Sequence, residues 1–302
     1  MMRLLLLFLL AGWATEGRSQ GFFYLGQVPD AARAAMGETS LGQRGNVFSA
    51  VGHPAALAFQ QSGQFGATYR SWISGERIYT IAAAFPSNRG RTIALHATTY
   101  DSSPPEELTG DEVRVPSGAY GISAAQMLGV FAVGGGVRFL NERTFGQNAS
   151  GFAFDASVGV RALKESVEGM VAVQQLGWTG RVFGFRPVVP ITVRGGMAVV
   201  PLRWTDARET SLVDLRLVGE VVRRIPYGDE APEPSTEWHL GAELRGFDLL
   251  RVRAGWISGD PARSYTLGGG ITYGRITGDY AWQPLQAGPT VGSHVLSIRY
   301  FY

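Results

Sequence analysis

The chain ends on Leu296-Ser297-Ile298-Arg299-Tyr300-Phe301-Tyr302. In a pleated strand, Leu296, Ile298, Tyr300 and Tyr302 share one face, while Val295, Ser297, Arg299 and Phe301 share the other. Bulky apolar side chains on one face and a half-polar opposite face suit a sheet that separates lipid from water. A soluble β-domain can end on such a strand as well, so the rest of the chain has to decide.

The opposite end carries an export signal. Arg3 precedes the apolar run from Leu4 to Ala11, and small residues then lead to Thr15, Glu16, Arg18 and Ser19. The run falls well short of the ~20 apolar residues that a spanning helix needs. Small-residue pairs allow cleavage after Ala14 or after Ser19; the second places the mature start at Gln20. No later segment reads as a membrane helix, so a membrane form has to be a closed barrel. Cysteine is absent, which excludes disulfides and thiolate metal sites. Charged residues make up 17% of the chain, below the roughly 25% of ordinary soluble domains. A wall that must exclude charge over the hydrocarbon band accounts for that deficit. The net charge of +2 gives no reason to expect nucleic acid as a partner.

Short apolar–polar alternations recur over 64–71, 78–85, 92–100, 118–127, 130–141, 151–162, 167–176, 190–200, 211–222, 236–245, 248–257, 264–273, 276–284 and 293–302. These are fourteen segments, an even number, as bacterial barrels require. Bacterial barrels alternate short periplasmic turns with longer external loops. Here 86–91, 128–129, 163–166, 246–247 and 274–275 are no longer than the shortest of the intervening connections; 201–210 is the misfit. Facing follows the pleat. Leu215, Leu217 and Val221 oppose Asp214, Arg216 and Glu220; Trp238, Leu240 and Leu244 oppose His239, Glu243 and Arg245. Val252 and Trp256 oppose Arg251 and Arg253, and Phe154 and Val158 oppose Asp155 and Ser157. Charges of both signs therefore line a wet or plugged lumen. Gly134–Gly136, Gly195–Gly196 and Gly268–Gly270 fall inside strands, where glycine marks a bend or a close backbone approach; a lateral opening or a ligand contact is the alternative.

The segment before the first strand differs. Asp30-Ala31-Ala32-Arg33-Ala34-Ala35-Met36-Gly37 reads as a short helix with Asp30 as N-cap and Gly37 as its stop. His53-Pro54-Ala55-Ala56-Leu57 follows after a glycine-broken stretch. This segment has too little apolar surface to fold alone and suits a hatch in a barrel. The reading is thus an all-β protein: a 14-stranded antiparallel transmembrane outer-membrane β-barrel at 64–302, a short N-terminal helical hatch or plug at 20–63, and a signal peptide at 1–19.

Phe23-Tyr24-Leu25-Gly26, Ala32-Arg33-Ala34-Ala35-Met36-Gly37 and His53-Pro54-Ala55-Ala56-Leu57 together resemble the amino-terminal signature of the PorV/PorQ family. Gly134-Gly135-Gly136-Val137-Arg138-Phe139, Phe154-Asp155-Ala156-Ser157-Val158-Gly159, Gly241-Ala242-Glu243-Leu244 and Arg251-Val252-Arg253-Ala254-Gly255-Trp256 are similar to its later motifs. His53 stands where the family pattern has asparagine. The resemblance, closer to PorQ, implies a FadL-like fourteen-stranded barrel in the outer membrane of a Gram-negative, Bacteroidota-like bacterium. It also implies a non-catalytic part in type IX secretion, with the outer-membrane lipid bilayer, other secretion components and cargo bearing C-terminal signals as partners.

No catalytic, cofactor-binding or metal-ligating residue is assigned, and no cofactor is expected. The chain has no phosphate-binding loop, His-Glu-x-x-His or Gly-x-Ser-x-Gly. His53, His96, His239 and His294 are scattered without ligand spacing; His96 and His239 fall on inward faces, but the sequence places no serine beside them. The acidic stretch 101–115 reads as a solvated external loop, and Asn148-Ala149-Ser150 is a sequon of no consequence in a bacterium. Besides secretion, the FadL-like fold allows a transporter of hydrophobic solutes such as long-chain fatty acids. That alternative needs an apolar pocket near the hatch, with Phe22, Phe23, Tyr24 and Leu25 as candidates, and a gap in the wall. A lipid-active enzyme ranks last, for want of a catalytic constellation.

Overall fold

A computed structural model describes residues 22–302 except 42–44, 73–74, 88, 103–114, 145–146, 164–165, 182–183, 185, 206–210, 229–230 and 286–287. The expected signal peptide and most of the acidic loop lie outside the described residues.

Alternation over short segments yields fourteen strands in the expected order. They are β1 Gln64–Ser71, β2 Arg77–Ser87, β3 Arg91–Ser102, β4 Val115–Leu128, β5 Phe131–Thr144, β6 Gln147–Ala162 and β7 Val167–Thr179. β8 Val189–Thr205, β9 Ser211–Tyr227, β10 Ser235–Gly246, β11 Leu250–Ser258, β12 Tyr265–Tyr273, β13 Ile276–Leu285 and β14 Gly288–Phe301 follow. Each pairs antiparallel with its sequence neighbours, and β1 pairs with β14 from Gln64↔Phe301 to Ser71↔His294, closing the barrel. The last strand of the sequence is therefore the seam.

The misfit turn has a local cause. β8 runs on to Thr205, and its register with β9 slips between Val199 and Leu202, so Pro201 sits in a bulge. A bulge lets a residue without an N–H remain in a strand.

Burial is inverted relative to a soluble protein. Leu240, Val252, Trp256 and Ile298 are about half exposed or more, whereas Asp155, Glu220, His239 and Arg253 are almost fully enclosed. Apolar side chains facing outward need lipid, and charged ones need a lumen. No described helix is long and apolar enough to cross a membrane; the crossing is made by strands.

The lumen is filled by the residues before β1. Asp30 caps α1 (Ala31–Ala34) by accepting from the Arg33 N–H at 3.0 Å, and the chain turns out at Gly37 with φ +65. The helix is a single turn. Three 3-10 turns flank it, Phe23–Gly26, Val47–Ala50 and Pro54–Phe59. Phe22, Ala31, Met36, Phe48 and Leu57 are completely buried.

Candidate functional site: a sealed break in the wall

Backbone polar groups inside a barrel need partners, and wall side chains supply them to the hatch. The Ala31, Gly37 and Ala55 N–H groups donate to Ser297 Oγ (2.8 Å), Thr266 Oγ1 (2.9 Å) and Ser157 Oγ (2.8 Å). Glu220 Oε1 accepts from the Ser40 and Leu41 N–H groups at 2.6 and 2.8 Å, while Arg194 binds Glu220 Oε2 at 3.0 Å. The Glu38 carboxylate meets Arg263 at 2.5 Å, and Arg70 donates to the Val28 carbonyl at 3.1 Å. Burial alone would push the Glu38 carboxyl up, but the guanidiniums of Arg263 and Arg70 outweigh it and hold it down to about 2. His53 is driven the other way: burial, then Arg33 and Arg194, lower it to about 3, so it sits neutral.

The in-strand glycines belong to this seat. A Cβ on Gly134 would meet Ala55 N at 2.4 Å, one on Gly255 would meet Gly37 N at 1.9 Å, and one on Gly268 would meet Ala35 Cβ at 2.5 Å. Close approach of the hatch explains these three.

One part of the wall is not sealed by its own ladder. β7 pairs with β8 only from Val167↔Val199 to Gln174↔Thr192. Beyond it, Leu176–Thr179 of β7 pair with β6 alone, and Val189–Ile191 of β8 with β9 alone. This is the longest such separation among the described residues; at a rise of about 3.3 Å per residue it extends roughly 15 Å. Its origin is a bulge. The β6–β7 register slips between Phe154 and Ala156, and Gln175 takes φ +62. Asp155 pins that conformation, accepting at Oδ1 from the Gln175 N–H (2.8 Å) and from Arg138 Nη2 (2.6 Å). Pro190, on the unpaired edge, has no N–H to leave unsatisfied.

Behind the break lies the first part of the hatch. Phe22, Tyr24 and Leu25 cluster with Val189, Leu140 and Ala153, and the Tyr24 ring stacks on Tyr100 at 5.9 Å. Gln175 Nε2 donates to the Leu25 carbonyl, and Glu142 Oε2 accepts the Phe22 N–H at 2.6 Å. At the far end Thr179 Oγ1 donates to the Pro187 carbonyl at 3.5 Å. Outside, Phe139, Phe152, Phe154 and Trp178 form a chain of aromatic contacts on the strands leading to the break. An apolar segment of the hatch thus lies against the unpaired stretch of wall and is hydrogen-bonded to it. Sequence reasoning singled out the mouth residues; it missed the break, because nothing in Gln174-Gln175 signals a left-handed residue.

The histidines do not converge. His239 Nε2 pairs with Glu237 at 2.9 Å, His294 Nδ1 meets the Tyr280 hydroxyl at 2.8 Å on the outer face, and His53 is buried within the hatch. One expectation needs correction: a serine does lie beside His96. Ser123 Oγ is 3.3 Å from His96 Nε2, because antiparallel pairing of β3 with β4 brings position 123 next to it. Ser123 also bonds the Ala50 carbonyl at 2.8 Å, His96 Nδ1 has no hydrogen-bond partner, and both residues are buried beneath the hatch. A nucleophile needs an oriented base and access; this pair has neither. No group of acidic or histidine residues suited to a metal ion occurs among the described residues.

The barrel resembles solved outer-membrane channels. The monoaromatic hydrocarbon channel CymD superposes with a TM-score of 0.61 at 9% identity, covering 90% of this chain and 97% of that one. The Ralstonia pickettii toluene transporter TbuX gives 0.60 at 13% identity, with 93% and 100% covered. A Pseudomonas aeruginosa FadL homologue gives 0.54 at 10% identity, with 91% and 98% covered. The fold is a closed fourteen-stranded antiparallel barrel like that of the FadL homologue. No protein-family model matches the sequence, and no curated protein does either.

Proposed function

We propose that this barrel is an outer-membrane channel for small hydrophobic solutes, with the window between β7 and β8 as the passage between lumen and membrane. The observation that carries this reading is the unpaired wall backed by Phe22, Tyr24 and Leu25. A solute that partitions into lipid does not need a water-filled pore. It needs an apolar path through the wall and a strap that can withdraw. The similar structures, a monoaromatic hydrocarbon channel and a toluene transporter, support small monoaromatics as the solute class.

The chain has no cysteine, so an engineered pair reacts alone. Leu25→Cys with Val189→Cys, joined by a short thiol crosslinker, should pin the strap across the window. Uptake of labelled toluene or a long-chain fatty acid into cells should fall to that of cells lacking the protein, and a cleavable linker should restore it on reduction. Undiminished uptake with the strap pinned would refute the passage.

Type IX secretion stands second. It is supported by the PorV/PorQ-like motifs, but two of them have a packing reason of their own: Gly134 admits Pro54–Ala55, and Gly255 admits Gly37. Retention of cargo with C-terminal signals in the periplasm after gene deletion, with normal solute uptake, would favour it over the channel.

A further inference from the structure

At the short-turn rim, which faces the periplasm in barrels of this kind, the hatch leaves an open space of about 350 Å³. Phe59 and Gln61 of the hatch line it on one side, and the ends of β6, β8, β9, β10, β11 and β14 line the other. Six arginines face it, Arg161, Arg203, Arg216, Arg245, Arg251 and Arg299, against two carboxylates, Asp214 and Glu243.

The charges are only partly matched. Arg161 and Arg216 share Glu168 of β7 inside the lumen, Arg245 meets Asp214 and the turn residue Asp248, and Arg299 meets Asp279 at 3.1 Å. Asp279 is shared in turn with Arg253, which also occupies Glu243. Arg203 and Arg251 make no ion pair among the described residues; Arg251 donates to Thr272 Oγ1 at 2.5 Å. Arg216 Nε and Arg299 Nε are buried without a hydrogen-bond partner. Guanidiniums present merely to neutralise lumen carboxylates would not outnumber them at a cavity. Two aromatic rings complete the lining: the Arg161 guanidinium lies 3.6 Å over Phe59, and that of Arg299 lies 5.9 Å from Phe301.

We propose that this vestibule binds a small organic anion, a carboxylate or phosphate monoester bearing an aromatic or short apolar group. Arginine forks suit both oxyanions, and the ring faces suit the apolar part. The site is independent of what crosses the window, since it lies at the other end of the hatch and its occupancy can be measured without transport.

Titration calorimetry on the detergent-purified protein at low salt tests it with four probes: benzoate, phenyl phosphate, inorganic phosphate and benzyl alcohol. Saturable binding of benzoate or phenyl phosphate, weakened at least tenfold by Arg203→Gln with Arg251→Gln and by added salt, is the expected result. Benzyl alcohol should not bind. Equal binding of benzoate and benzyl alcohol, or full affinity in the double variant, would overturn the proposal. Inorganic phosphate binding as tightly as phenyl phosphate would remove its apolar half. Arg203→Gln alone touches an exposed, unpaired side chain, so it provides a folded comparison should the double variant fail to assemble; unchanged benzoate affinity in that single variant would likewise count against the site.

Discussion

The Asp155 carboxylate accepts the Gln175 N–H at 2.8 Å and so holds a non-glycine residue at φ +62 in the wall of a barrel. A left-handed residue costs about 1–2 kcal/mol, and its side chain simultaneously holds the Leu25 carbonyl. Strain and latch thus reside in one residue. Gln175→Gly relieves the first and removes the second. The variant should unfold no earlier than the parent, while uptake of labelled toluene rises severalfold. Lower uptake at equal abundance in the membrane would show that the strap does not gate.

Gly255 and Gly37 are in contact through backbone, so a methyl group has nowhere to go. Gly255→Ala should unseat the turn after α1 at a cost of about 1–3 kcal/mol, the usual range for overpacking. The hatch should become sensitive to protease while the barrel keeps its heat-modifiable mobility on gels.

Glu38 titrates at about 2, against an ordinary value of 4.5. A depressed carboxyl contributes stability in full above 4.5 and loses it as pH falls towards 2. Glu38→Gln should remove that dependence and leave Arg263 with a buried charge less well matched, a loss of about 3–5 kcal/mol. Hatch protection measured against pH should fall less steeply between 4.5 and 2 in the variant than in the parent, the remaining slope belonging to His53 and the other buried groups.

His53 has its value lowered to about 3 from 6.5. Folding therefore favours the neutral ring: its contribution is complete above 6.5 and declines as pH drops towards 3, by up to about 1.4 kcal/mol per unit. His53 precedes the Pro54–Phe59 turn without a side-chain cap bond. His53→Asn offers a capping side chain and should stabilise the protein at pH 5 while flattening the slope between 6.5 and 4.5. An unchanged slope would mean that the ring titrates equally in both states.

The terminal strand closes the seam, with the Tyr302 N–H donating to the Gly63 carbonyl at 3.0 Å and Phe301 opposite Gln64. Deleting residues 300–302 should abolish membrane assembly before any activity can be assayed. A truncated protein that is membrane-inserted and heat-modifiable would contradict this.

Strands, their number and their facing were legible from local pattern, because the pleat alternates every residue and lipid and lumen demand opposite chemistry. Leu296, Ile298 and Tyr300 already named their face, and Asp30 and Gly37 their helix ends. The position of His96 beside Ser123 was not legible, since it depends on the register of β3 against β4. Nor was the purpose of Gly134 and Gly255, which answer to hatch backbone more than 70 residues away in the chain. The sequence by itself determined a closed fourteen-stranded wall with a polar interior. Only the tertiary structure decided where that wall parts, because the bulge at Gln175 exists through Asp155 on the neighbouring strand, and the strap that seals it comes from the other end of the chain.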